Sequence, residues 1–360
     1  MLTARQARRV AESWVREEAE RVPGFAGALL AGSSLRREPD DPHPPGSDVD
    51  VWVVIDGPVP DPFLAPAHPL ALHKSVVHGV VLDRMFLPWK RLEDPAAVLS
   101  DMFLAPVLAA GAILSDPSGR LSHLGAAVAA EHRRRAWVRS RLDGVRERVL
   151  TLCHAIEEQP PLPVYDLRCW RIASLLMAST TAAAVPAVAA LRDVTIRRGL
   201  VVAREILAGA GRMDLADSLL QTLGSAALGR AEVERLVAET ERAYDAAVAV
   251  HRKRFALDCY VGRDLREYAL GGIRELLGRH HREAMYFAAF VRAGAQNILE
   301  NDGAGAERTR FREGFLGMLA ALGIEGERPW AARAAAIQQL LPRLRDAADV
   351  ILERNPVAQE

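Results

Sequence analysis

The pattern of hydrophobic positions changes near residue 95, and this change predicts two parts of different architecture. Before it, residues 3–21 have the 3.6-residue period of an amphipathic helix, and apolar runs of strand length follow. After it, nearly every segment has the period and length of a helix, and no run is typical of a strand. We therefore expect an α+β protein in which a small mixed β-sheet comes first and an all-helical region follows.

The first part contains the predicted strands. Apolar or β-branched runs indicate strands over residues 25–31, 49–55 and 75–87. His78-Gly79 lies inside the last of these runs and predicts a hairpin turn. Residues 36–46 are polar and rich in proline, so we expect a loop there.

The second part contains the longest helical patterns. We expect helices over residues 121–156, 166–184, 188–210, 232–257, 265–292, 308–322 and 329–353. The predicted domain boundary lies at residue 120. It separates a first domain, 1–120, from a helical domain, 121–360, which could consist of two subdomains meeting near residue 215.

Composition narrows the class of protein. Half of the residues are hydrophobic, so the chain can form extensive cores. Its 46 basic and 46 acidic residues give a formal net charge of zero, which argues against a protein that holds long nucleic acid by its phosphates. Only three of the basic residues are lysines: Lys74, Lys90 and Lys253.

Three features bear on the cellular compartment. Cys153, Cys169 and Cys259 are far apart in sequence, which indicates reduced structural thiols and neither a disulfide framework nor a zinc site. Residues 172–191 carry no charge, but they are mostly Ala, Ser and Thr and include Pro186, so a buried core helix is favoured over a membrane span. With a charged N-terminus that lacks a signal core, this predicts a cytoplasmic protein.

Acidic residues interrupt two of the apolar strands. Asp48 and Asp50 are two residues apart in a strand, so their carboxylates project side by side and repel each other unless a cation lies between them. Oxygen ligands suit Mg²⁺. Asp83 can face the same site if its strand lies next to theirs. Three carboxylates from two neighbouring strands can hold two Mg²⁺ ions, and the third can also accept a proton from an attacking hydroxyl.

A second element points to phosphate. Gly32-Ser33-Ser34 follows the first strand, where glycine permits close approach of the backbone, and the N–H and hydroxyl groups of such a turn can bind an anion. A triphosphate next to a metal site fits this pattern. Arg36, Arg37 and Lys74 are further candidates for phosphate contacts, and solvated side chains are the alternative for them.

Taken in order, the segments LLAGSS, GSDVDVWVV and VVLDRMF, within residues 25–90, resemble the nucleotidyltransferase superfamily typified by DNA polymerase beta. The resemblance implies that residues 1–120 form the catalytic domain. It further implies that Gly32, Ser33 and Ser34 bind the phosphates of ATP or another NTP. Asp48 and Asp50 would bind both metal ions, and Asp83 would bind the catalytic metal or act as general base. The loop after Ser34 departs from the family in being slightly long and very rich in proline.

A short catalytic unit followed by helices resembles, within that superfamily, the antibiotic-modifying branch. Those enzymes transfer a nucleoside monophosphate from ATP to a hydroxyl of an aminoglycoside or lincosamide, and their helical domain helps to bind the substrate. The resemblance implies a small-molecule hydroxyl acceptor, release of pyrophosphate, no nucleic-acid partner, no membrane association, and a monomer or homodimer.

Other functions stay open on the sequence alone. The acceptor could be RNA, such as tRNA, or a protein side chain, as in toxin–antitoxin systems. The chain could also be a biosynthetic enzyme that nucleotidylates a small metabolite, or a nucleotide-binding regulator without catalytic activity.

Overall fold

The computed structural model describes residues 2–57, 71–159, 166–252 and 258–360. Within these residues, a small mixed sheet lies near the N-terminus and a helical region follows it. The predicted α+β class is confirmed.

The sheet has five strands among the described residues. They are β1 (Phe25–Ala31), β2 (Asp48–Ile55), β3 (Ala71–Val77), β4 (Val80–Pro88) and β5 (Ile113–Ser115), arranged in the order β3-β4-β2-β1-β5. Strands β2 and β4 are parallel, and every other neighbouring pair is antiparallel.

The predicted hairpin turn is confirmed between β3 and β4. His78 and Gly79 have φ angles of 47° and 78°, which are the left-handed values that a two-residue hairpin turn needs. The turn fixes the register of the pair, beginning with Val77 opposite Val80.

Strand β5 contradicts the expectation that no strand follows residue 95. It has only three residues and pairs with the outer side of β1. A strand of this length shows no alternation, so it is formed through pairing with its neighbour and not through its own sequence pattern.

Both faces of the sheet are covered. Helix α1 (Ala4–Glu17), which begins at a capping box formed by Thr3 and Gln6, packs on the face that carries Val49, Val51 and Val53 of β2. Capping satisfies the backbone donors that a helix start leaves without partners. The opposite face packs against α2 (Pro95–Ser100), α3 (Leu104–Ala110) and α4 (Arg120–Glu131).

The alternation of β2 decides where its acids point. Trp52 and Val54 belong to the core on the face covered by α2, α3 and α4. Because side chains two residues apart share a face, Asp48 and Asp50 lie on that same face, in line with Trp52 and Val54. The two acids therefore lie on the same face as the apolar core, at the end of the strand where that face becomes polar.

The remaining helices fill most of the chain after residue 134. They are α5 (Arg135–Glu157), α6 (Leu167–Ala189), α7 (Gly199–Gly209), α8 (Met213–Leu223), α9 (Arg230–Val250), α10 (Arg266–Arg279), α11 (His281–Asp302), α12 (Gly305–Ala321) and α13 (Arg328–Arg354). The chain divides into two compact units, Met1–Gly144 with Pro356–Glu360, and Val145–Asn355. The division falls within α5 and not at residue 120, because Leu121, Leu124 and Val128 of α4 belong to the core on the sheet.

Several predicted helices differ from the observed ones. The helix expected over 121–156 is two helices, α4 and α5, and that over 265–292 is also two, separated at His280. The break between α4 and α5 contains neither proline nor glycine, so the sequence did not signal it, whereas Gly278 comes two residues before the break at His280. The expected helix over 188–210 instead comprises the end of α6 and then α7, and α8 was not predicted. Residues 253–257, the predicted end of α9, lie outside the described residues.

One helix among the described residues, α6, is long and apolar enough to cross a membrane. Within the protein, 94% of its apolar window is buried, as in the core helix of a folded domain. This burial agrees with the prediction of a core helix for that segment, and Pro186 lies inside the helix near its end.

The three cysteines are free, and Cys153 and Cys169 are buried whereas Cys259 is half-buried. Burial raises the pKa of the Cys153 thiol to about 11, with the charge of Glu157 contributing in the same direction. A thiol with a raised pKa reacts slowly, which suits a structural role.

Leu82→Ala tests the hydrophobic core between the sheet and α1. Leu82 is fully buried between the sheet and α1, and we expect its truncation to lower the free energy of unfolding by about 2–5 kcal/mol. The measurement is urea unfolding followed by tryptophan fluorescence. Val76→Ala, at a partly exposed position on edge strand β3, should change the free energy of unfolding by no more than about 0.5 kcal/mol. Equal effects of the two substitutions would contradict this arrangement of the core.

Candidate metal centre

Strand register brings three carboxylates together. Asp50 of β2 lies directly opposite Asp83 of β4 in the parallel pair, and Asp48 precedes Asp50 by two residues on the same face. One carboxylate oxygen from each residue lies within 4.8 Å of the others. Across the part of the chain that the structure describes, no other group of three or more acidic, histidine or cysteine side chains is arranged to hold a metal ion.

Asp83 is the most deeply placed of the three acids. The residue is only 8% exposed. Burial raises the pKa of its carboxyl, the ammonium of Lys74 lowers it in part, and the neighbouring Asp48 raises it again. Its Oδ1 atom is buried and has no hydrogen-bond partner among the described residues. A buried carboxylate oxygen without a donor is costly unless a cation approaches it.

Lys74 occupies the same cluster. Its Nζ atom donates to Asp48 Oδ2 at 2.7 Å and also to Asp83 Oδ2. The side chain is 1% exposed although it belongs to edge strand β3. An ammonium between two carboxylates offsets part of their mutual repulsion.

The sequence analysis named Lys74 only as a candidate phosphate contact. Its position beside the acids could nevertheless be predicted from the sequence. A two-residue turn at His78-Gly79 fixes the hairpin register, and that register sets Lys74 opposite Asp83. Residues directly opposite each other in an antiparallel pair share a face, so the lysine had to lie beside the acid.

Gly32 lies against Asp50. Its φ angle is 64°, and a Cβ atom added there would lie 1.9 Å from Asp50 Oδ2. No other residue type leaves room for the carboxylate at this distance, and the left-handed backbone also favours glycine. The predicted phosphate turn and the predicted acidic cluster are therefore immediate neighbours.

The two serines of the turn are placed differently. Gly32–Leu35 forms a short 3₁₀ segment after β1. Ser34 is buried, and its hydroxyl donates to Ala31 O at 2.8 Å. That hydrogen bond stabilises the turn, whereas Ser33 is exposed.

The loop after the turn is held by two arginines. Arg8 of α1 donates to Ser34 O at 2.6 Å and to Arg37 O at 2.5 Å. Arg37 donates to Ser47 Oγ at 2.8 Å, just before β2. Arg36 and Arg37 were both candidates for phosphate contacts. Arg37 instead ties the loop to the start of β2, and Arg36 is exposed.

His43 is a loop residue that the sequence did not single out. It is buried, and its Nε2 atom has no hydrogen-bond partner among the described residues. Burial lowers the pKa of its imidazole, and the positive charge of Arg37 lowers it further. The contacts of Arg8 and the burial of His43 depend on how α1 and the loop pack together. No local pattern in the sequence predicts these two features.

The donor set suits a hard divalent cation. Asp48, Asp50 and Asp83 present carboxylate oxygens from two adjacent strands, and one of these oxygens, Asp83 Oδ1, is buried and has no donor within the described parts of the chain. Oxygen-only ligand sets of this kind match Mg²⁺ or Ca²⁺ and not the metals that prefer sulfur or imidazole. The cluster can hold a metal ion.

Gly32→Ala tests the close approach of the turn to Asp50. The new methyl group would displace the Asp50 carboxylate, so we expect divalent-cation affinity, measured by isothermal titration calorimetry, to fall at least about tenfold. Gly79→Ala is the matched control, because Gly79 has a similar φ of 78° but open space around its Cβ position. It should lose only about 1 kcal/mol of stability and keep its cation affinity. Unchanged affinity in Gly32→Ala would show that the turn does not position Asp50.

Comparison with known proteins adds no identification. No family model, no curated protein and no solved structure matches this chain.

Proposed function

We propose that the protein is a Mg²⁺-dependent nucleotidyltransferase that transfers a nucleoside monophosphate from an NTP, ATP in the first instance, to a hydroxyl of a small molecule. The observation that carries the proposal is the contact between two elements, in which Gly32 of the turn lies against Asp50 of the acidic cluster. A cation site directly beside an anion-binding turn is what a metal–triphosphate complex requires.

Each element has a defined task in this proposal. Asp48, Asp50 and Asp83 would hold Mg²⁺, which when bound neutralises charge on the triphosphate. The backbone of Gly32 and the hydroxyl of Ser33, an exposed residue, would donate hydrogen bonds to phosphate oxygens. Ser34 contributes by keeping the turn in shape through its bond to Ala31 O.

The proposed reaction is an in-line displacement. The acceptor hydroxyl oxygen forms a bond to the α-phosphorus while the bond from that phosphorus to the β-phosphate oxygen breaks, and pyrophosphate leaves. The hydroxyl proton passes to a carboxylate, and Asp83 suits this role because burial raises the pKa of its carboxyl.

The proposed acceptor follows from charge and from the family resemblance. The chain has no net charge, and a neutral chain lacks the excess of cations that holds long nucleic acid. The order of a small catalytic unit and then helices resembles enzymes that nucleotidylate aminoglycosides or lincosamides. We propose a small hydroxyl-bearing acceptor, and a cytoplasmic monomer or homodimer.

Asp50→Asn tests the proposal. With Mg²⁺, each α-³²P-labelled NTP and a panel of aminoglycosides, lincosamides and tRNA, the wild-type protein should label one acceptor and release pyrophosphate. Asn keeps the shape of the side chain but removes the charge, so the rate should fall at least about 10³-fold. Asp56→Asn is the matched control, because Asp56 follows the end of the same strand, pairs with Arg120 and is exposed; it should keep wild-type activity.

The outcomes separate the alternatives. Labelling of tRNA alone would replace the small-molecule acceptor with RNA. Full activity of Asp50→Asn would remove the acidic cluster from the mechanism. Binding of NTP by the wild type without transfer to any acceptor, water or protein side chain would favour a nucleotide-binding regulator.

A further inference from the structure

We propose that Lys74 is an internal counter-cation that competes with the divalent metal ion for Asp48 and Asp83, so that metal binding displaces its ammonium group. The inference rests on the metal site of the proposed function. It adds a built-in competitor that sets the metal affinity and stabilises the acidic cluster when no metal is bound.

The contacts of Lys74 point to this role. Its ammonium donates to Oδ2 of both Asp48 and Asp83, which are two of the three carboxylates in the cluster. A divalent cation bridging the cluster needs oxygens of the same two carboxylates. Both carboxylates are largely buried. The position between their Oδ2 atoms cannot hold both cations, so a metal ion that binds there displaces the ammonium.

Burial makes the competition strong. The Lys74 side chain is almost completely buried, and the desolvation of an ammonium is offset only by close carboxylates. Without Lys74, the cluster would place carboxylates beside one another in a poorly solvated site and would raise the free energy of the folded protein. The lysine thus stabilises the metal-free fold and weakens metal binding at the same time.

A single ammonium does not complete the cluster. Asp83 Oδ1 is buried without a hydrogen-bond partner among the described residues while Lys74 contacts Oδ2. A lysine has one positive charge and three donors on one atom, whereas a divalent cation carries two charges and takes six or more oxygens. A divalent cation can therefore still bind the cluster, although Lys74 already pairs with two of its carboxylates.

Lys74→Met is the direct test, because methionine retains much of the length of the side chain and removes the charge. We expect a melting temperature several degrees below wild type without metal. We expect Mg²⁺ affinity, measured by isothermal titration calorimetry, to rise at least about tenfold. Saturating Mg²⁺ should raise the melting temperature of this variant more than that of wild type.

Lys90→Met is the matched control. It removes the same charge from an exposed position just after β4, and its melting temperature and Mg²⁺ affinity should stay at wild-type values. An equal rise in affinity in both variants would show a general charge effect and would overturn the inference.

The remaining calorimetric outcomes are distinguishable. Unchanged or weaker Mg²⁺ binding in Lys74→Met, with clear binding in wild type, overturns the inference and leaves the proposed function intact. Absence of Mg²⁺ binding in wild type and in the variant overturns both.

A measurement on the wild-type protein keeps the inference testable if Lys74→Met does not fold. The chain has three lysines, so lysine labelled with ¹³C at Cε gives three side-chain NMR signals. Lys90→Met and Lys253→Met assign two of them, which leaves the signal of Lys74. Saturation with Mg²⁺ should shift the Lys74 signal strongly and leave the Lys90 signal in place. A Lys74 signal that does not move as Mg²⁺ binds overturns the inference.

Discussion

The repulsion among Asp48, Asp50 and Asp83 is the constraint on which the candidate site depends. Strand alternation puts Asp48 and Asp50 on one face, and the parallel register of β2 and β4 puts Asp83 beside them. The backbone therefore forces three negative charges together, and the fold requires positive charge at that point. Lys74 supplies some of it, and the buried Oδ1 atom of Asp83 has no donor in the part of the chain that the structure describes.

The residues around the cluster hold its strands and loop in place. The face that carries the acids is the same face that packs on α2, α3 and α4, so its apolar part is fixed by a core that includes Trp52 and Met85. Gly32 keeps a side chain away from Asp50. Arg8 and Arg37 hold the loop that leads from the turn to β2. Rigid support of this kind is what a site needs to keep charged groups close together.

Part of this arrangement could be predicted because it depends on short-range rules. Alternation along β2 predicted that Asp48 and Asp50 share a face, and the His78-Gly79 turn predicted the hairpin. Together these rules also place Lys74 opposite Asp83. The sequence does not determine that β4 lies next to β2, because strand order is a property of the whole sheet.

Other parts depend on packing that no local pattern encodes. Strand β5 is formed by pairing with β1, the break between α4 and α5 interrupts a continuous helical pattern, and the contacts of Arg8 cross from α1 to the loop. Ser33 and Ser34 are adjacent and chemically alike, yet Ser33 is exposed and the hydroxyl of Ser34 is bonded to Ala31 O.

The central claim is that the acidic cluster holds a metal ion beside a triphosphate. A crystal grown with Mn²⁺ and a non-hydrolysable ATP analogue tests it directly, because Mn²⁺ gives anomalous scattering. The account predicts an anomalous peak within direct coordination distance of Asp48, Asp50 and Asp83, with the phosphates against Gly32 and Ser33. Nucleotide bound at another place, or a cluster that still pairs with Lys74 and shows no peak at saturating Mn²⁺, would contradict it.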